Sequence, residues 1–230
     1  MNFPYKLIDL THTLDSTMPT WSGDCGFNHD LLIDYANSEG EVKFRVMKMK
    51  MHAGIGTHMD APSHCFPSGQ CIQDIDINEL CMPCVVIDIS TKCHENYGLT
   101  PEDITEFESK HGHIQKNSCV MVKTGWSKFW DTPKKYHNNH VFPFVSHDAA
   151  KLLLERDVRA LGIDTLSPDR PDKGFKVHQL FLGAKKIIIE NVANLENMPS
   201  TNALVLALPI KIKDGTEAPI RLVGLMVSGS

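Results

Sequence analysis

Apolar, β-rich runs recur along the chain at residues 42–51, 84–89, 118–122, 160–163, 186–189, 203–208 and 220–227. Runs of this length predict strands in both halves of the chain. Helical patterns fall between some of them. Thr100-Pro101-Glu102-Asp103 reads as an N-cap, a proline at the first helical position and acids in the first turn. It predicts a helix reaching His111, with Gly112 beyond it. Ser146-His147-Asp148 opens a second helix over 149–156, in which Ala150, Leu153 and Leu154 fall on one face. Val177, Leu180 and Phe181 have helical spacing, and Gly183 is placed to end that helix. The alternation predicts a mixed α/β chain, though pattern alone does not order the strands. Residues 123–143 are the least regular part and read as a polar loop, long enough for a lid or substrate loop. Within it, Asn138-Asn139 separates His137 from His140 and favours a solvated loop over a shared helix face.

Composition narrows the class. The 230 residues are 42% hydrophobic and 22% charged, an ordinary globular mixture with no linker or repeat, so 1–230 reads as a single domain. A net charge of −5 argues against nucleic acid as a partner. The longest apolar stretches, such as 204–208, are too short to span a bilayer. The start, MNFPYKLIDLTHTLD, lacks the apolar segment of a secretory signal, so a cytoplasmic protein is expected. Seven cysteines, an odd count, then read as reduced thiols. Cys81 and Cys84 form a C-x-x-C that precedes an apolar run rather than following one, and no second pair is present for zinc. They read as buried small hydrophobes.

Twelve histidines are a rich complement, and three of them lie in residues 52–64. This segment, His52-Ala53-Gly54-Ile55-Gly56-Thr57-His58-Met59-Asp60-Ala61-Pro62-Ser63-His64, follows an apolar run and turns through glycines. His58 and Asp60 are two apart, so in extended chain both side chains project to one side, as a chelating pair would. Imidazole and carboxylate together suit zinc, manganese or ferrous iron. A solvated surface loop is the competing reading. Farther on, Glu190 closes an apolar strand, where a carboxylate must be paired, exposed or metal-bound. His178 sits on the helix before it; alone, it reads equally as a surface histidine. No G-x-S-x-G or H-E-x-x-H occurs, and Gly54-Ile55-Gly56 lacks the third glycine of a dinucleotide loop.

Taken together, these segments resemble the cyclase family of metal-dependent hydrolases, which includes bacterial kynurenine formamidase and isatin hydrolase. The family signature H-x-G-T-H-x-D-x-P-x-H is matched from Gly56 through His64. Ile8-Asp9-Leu10-Thr11-His12, Met18-Pro19-Thr20-Trp21-Ser22-Gly23-Asp24, Val85-Val86-Ile87-Asp88, Lys123-Thr124-Gly125-Trp126-Ser127 and Gly162-Ile163-Asp164-Thr165 resemble further landmarks in the same order. The resemblance implies a swivelling β/β/α-type single domain, a homo-oligomer (dimer or tetramer) and hydrolysis of a small, aromatic amide or cyclic amide. It implies His58, Asp60, His178 and Glu190 as metal ligands and His64 as general acid/base, a role its ordinary pKa near 6.5 suits. Trp21, Phe27, Phe66 and Trp126 are candidates for an apolar substrate wall. Trp126 and Trp130, four apart, read equally as a core pair.

One position departs from the signature. Gly54 stands where its first histidine belongs, and glycine cannot ligate. The expectation is therefore one divalent ion, zinc or manganese, held by the four remaining donors, with a second ion in doubt. His52 has the right parity to compensate, but a two-residue shift moves a ligand by roughly 6–7 Å in extended chain. The alternative is an impaired relative that survives as a binding or scaffold protein.

Overall fold

The computed structural model describes residues 4–227, so the ends of the expected 1–230 domain lie outside the described residues. Among the described residues twelve strands are formed: β1 (Tyr5–Asp9), β2 (Phe27–Ile33), β3 (Val46–Met51), β4 (His58–Asp60), β5 (Cys81–Asp88), β6 (Gly98–Leu99), β7 (Cys119–Lys123), β8 (Phe144–Val145), β9 (Ala160–Ile163), β10 (Ile187–Glu190), β11 (Ala203–Pro209) and β12 (Glu217–Val227). The α-helices of the described residues are α1 (Pro101–His111), α2 (Pro133–His137), α3 (His147–Glu155) and α4 (Lys176–Gly183). The main sheet runs β1-β12-β11-β5-β7-β9-β10-β4, and β4 also pairs with β12, which closes seven of the eight strands into a barrel. Strands β5, β7, β9 and β10 are parallel, and the rest of the ring is antiparallel. This is the mixed α/β class expected.

Parallel strands are buried on both faces, which is why they read as continuous apolar runs. In β10, Ile187 and Ile189 point into the barrel with Met59, Met121, Val205 and Ala218. Ile188 points outward into a second core with Ile104, Leu153, Val177 and Phe181 of the covering helices. Helix α1 begins as expected, with Thr100 Oγ1 accepting from Asp103 N and the Asp103 carboxylate accepting from Thr100 N.

Three expectations are revised. The strand expected over 42–51 starts only at Val46 and belongs, with β2, to a separate hairpin whose side chains are largely exposed. Cys81 and Cys84 both lie within β5; their odd spacing puts them on opposite faces, Cys81 exposed and Cys84 buried. Finally, 123–143 is not a polar lid. Trp126, Trp130, Tyr136 and Phe142 bury themselves with Met18, Phe27, Ile55 and Leu166 in a third apolar cluster. His137 and His140 do not merely face solvent, since both Nε2 atoms contact the Trp21 carbonyl, at 2.9 and 2.8 Å.

Candidate active site

The site lies on the outer face of the barrel where β4 closes the ring. In the antiparallel register, His58 is opposite Glu190 on one side of β4, and Asp60 is opposite Glu217 on the other. Directly opposed residues of antiparallel strands share a face, and so do residues two apart on one strand. Sheet geometry therefore delivers four polar side chains to one surface, while Met59, Ile189 and Ala218 take the inner face. Helix α4 lays His178 over that surface.

His58 Nε2 lies 3.3 Å from Glu190 Oε2 and 3.6 Å from Asp60 Oδ1. His178 Nε2 lies 3.5 Å from both Asp60 Oδ2 and Glu190 Oε1. All four residues are buried. The other ring nitrogens are committed. His58 Nδ1 donates to the Gly56 carbonyl at 2.9 Å, and that carbonyl also accepts from Asn191 Nδ2. His178 Nδ1 donates to Asp169 Oδ2 at 2.8 Å. A proton fixed on Nδ1 leaves the Nε2 lone pair aimed at the carboxylates, as in a metal-ligating histidine. Asp169 also accepts from the backbone of Val177 and His178, so one carboxylate both starts α4 and orients its imidazole. Its only trace in the sequence is membership of a polar turn.

Both oxygens of Asp60, and Oε1 of Glu190, are buried and accept no hydrogen bond from the described residues. A buried carboxylate without donors is costly unless a cation meets it. Burial lowers the His58 pKa, but hydrogen bonding to Glu190 and the charge of Asp60 outweigh it and raise the value to about 9. His178 is likewise raised against its burial, by Asp169 and Asp60. Burial and the neighbouring Asp60 charge push Glu190 up. Protons thus stand where a divalent cation would displace them. The donor set fits such an ion.

A cavity of about 750 Å³ opens over this cluster. Trp21 and Phe66 line it, as expected, while Phe27 and Trp126 do not, because they pack in the third apolar cluster behind the wall. Phe175, which sequence reasoning missed, takes the open place with its ring 5.9 Å from those of both Trp21 and His178. A lone aromatic after a glycine has no signal that marks it as a wall. His64 sits on the cavity rim with Nδ1 3.3 Å from Glu217 Oε2. His52 is exposed and is not among the cavity residues. Behind the site, Asp164 accepts from Thr124 N, Thr124 Oγ1 and Gly125 N, which ties together two of the matched landmarks.

On the outer face of this closed mixed barrel, two imidazoles and three carboxylates gather beside an aromatic-walled cavity, a donor set that could hold a divalent ion. The Cyclase family model ("Putative cyclase") matches residues 8–170. The chain belongs to the cyclase family. It is 28% identical over 219 residues to a kynurenine formamidase of Bacillus anthracis, covering 95% of this chain and 96% of the relative. It is 29% identical over 187 residues to an isatin hydrolase of Roseibium aggregatum, covering 74% and 71%. Among solved structures, isatin hydrolase A from Labrenzia aggregata bound to benzyl benzoate superposes with a TM-score of 0.87 at 30% identity, covering 98% of this chain and 95% of that one.

Proposed function

We propose that the protein hydrolyses a small aromatic formamide or cyclic amide, with His58, Asp60, His178 and Glu190 holding a zinc or manganese ion and His64 as general acid/base. The protein is a metal-dependent amidohydrolase acting on non-peptide C–N bonds. The observation that carries the finer reading is that both Asp60 oxygens and Glu190 Oε1 are buried without a donor among the described residues, facing two oriented Nε2 atoms beside the cavity. When bound, the ion supplies a Lewis acid and lowers the pKa of its water towards neutrality. The residues do the rest. Trp21, Phe66 and Phe175 form a wall for an aromatic ring, and 750 Å³ is within the usual range for small-molecule sites. The Glu217 carboxylate beside Nδ1 raises the His64 pKa above its ordinary value against partial burial, which favours the protonated imidazole. Nε2 is then the atom that passes a proton to the departing nitrogen.

A homo-oligomer fits the β2–β3 hairpin. A two-stranded ribbon is marginal alone, and Leu31, Leu32, Met47 and Met49 are each about half exposed or more. A second copy of the chain covers such a surface. Among the described residues no helix is long and apolar enough to cross a membrane. Free thiols that include the exposed Cys25, Cys65 and Cys81 suit a reducing compartment such as the cytoplasm.

The test is His64→Ala assayed against a panel of aryl formamides and cyclic amides, with metal content measured in parallel. Turnover should be lost with the metal retained. Full turnover would refute the acid/base role, and loss of the metal would make His64 a ligand.

A further inference from the structure

The signature leaves a hole at Gly54, and the fold fills it from the other end of the chain. We infer that Glu217 is a metal ligand that replaces the missing histidine and completes a second cation pocket with His58 and Asp60. The inference rests on the metal-centred reading above and adds a second ion to it.

Three independent observations meet here. First, donor atoms of His58, Asp60 and Glu217 lie within 4.8 Å of one another, and so do those of Asp60, His178 and Glu190. Asp60 belongs to both groups. Its Oδ1 faces His58 and its Oδ2 faces His178, and neither oxygen accepts a hydrogen bond from the described residues. A fully buried carboxylate with two free oxygens directed to two donor groups is the arrangement of a bridging ligand, since a single cation on one side leaves the other oxygen unmet.

Second, the position of Glu217 depends on Gly54 having no side chain. A Cβ at residue 54 would overlap Glu217 Oε1, approach its Cδ to 3.0 Å and come within 3.3 Å of His58 Nε2. The carboxylate therefore occupies the volume that a side chain at 54 would fill, next to the nitrogen such a side chain would join. The two residues are a complementary pair. A side chain at 54 pushes the carboxylate from this position, and glycine admits it.

Third, β12 presents Glu217 directly opposite Asp60 in the pairing that closes the barrel. Its placement is set by backbone register, as for His58, Asp60 and Glu190. Its two oxygens are divided between tasks. Oε2 is 3.3 Å from His64 Nδ1, while Oε1 is the atom beside residue 54 and His58. Carboxylate oxygen joining imidazole and carboxylate suits manganese or zinc, as the first pocket does.

The experiment counts ions without measuring turnover. Metal-free protein is dialysed to equilibrium against buffered manganese, and separately against zinc, and bound metal per chain is measured by mass spectrometry. The wild type should bind two equivalents, and Glu217→Gln and Gly54→Ala one each. Gly54→His should keep two, because its imidazole takes the place of the carboxylate it displaces, and Gly54→His with Glu217→Ala should bind two as well. Melting curves of the metal-free variants verify that each is folded. Equal metal content in wild type and folded Glu217→Gln, whether one or two equivalents, overturns the inference and leaves the four-ligand centre standing. A wild type that binds no metal overturns both.

Discussion

Asp169→Asn isolates what orients the candidate metal centre. The side chain keeps its shape and loses its charge. Asp169 accepts three N–H groups, from Val177 N at 3.1 Å on Oδ1 and from His178 N and Nδ1, each at 2.8 Å, on Oδ2. An amide has one acceptor oxygen, and its NH2 must face a donor. The better arrangement keeps the oxygen on His178 and strands the buried Val177 N–H, at a cost of about 1–3 kcal/mol in stability. The imidazole also loses its anionic partner, so Nε2 becomes a weaker donor. Partners of this kind are typically worth 10–100-fold in metal affinity, or about 1.4–2.7 kcal/mol. The assay is a competition titration against a chromogenic chelator, with chemical denaturation of the metal-free form alongside. Affinity within twofold of wild type would refute the claim that Asp169 prepares His178 to bind metal. A loss of stability alone would reduce it to a helix cap.

Two other outcomes follow from groups away from the metal cluster. His12 stacks on Trp130 at 3.8 Å, its Nε2 has no partner among the described residues, and burial lowers its pKa to about 4. Because the folded value lies below the unfolded 6.5, the stability tied to neutral His12 is fully present above pH 6.5 and is lost as pH falls from there towards 4; the loss, up to about 3 kcal/mol, should be smaller in His12→Gln, and equal pH dependence in the two proteins counts against the reasoning. In the hairpin, Leu31 is paired with Met47, and Leu31→Glu with Met47→Glu should reduce the mass seen by sedimentation to that of one chain; an unchanged oligomer would place the interface elsewhere.

Local signals survive wherever their cause is local. Thr100 and Asp103 cap α1 because both partners lie within one turn, and the helix ends before Gly112 as its spacing predicts. The parity of His58 and Asp60 placed both on one face because strand geometry alternates. The run at 42–51 marks a strand but not its place outside the main sheet, for a related reason. Residues 42–51 have β-rich composition, but composition does not say whether a partner covers the strand.

What the sequence determined by itself was the α/β class, six of the seven strands of the barrel wall, and the shared face of His58 and Asp60, since each depends on neighbours a few residues apart. It also marked a defect at Gly54. Only the tertiary structure decided what that defect means. The register of β12 against β4 sets Glu217 opposite Asp60, and the space left by the glycine lets its carboxylate reach His58. Asp169 and Phe175 enter the site in the same way, through packing of α4 on the barrel. Barrel closure sets residues far apart in the chain face to face, and no periodicity or spacing along the chain encodes which residues meet.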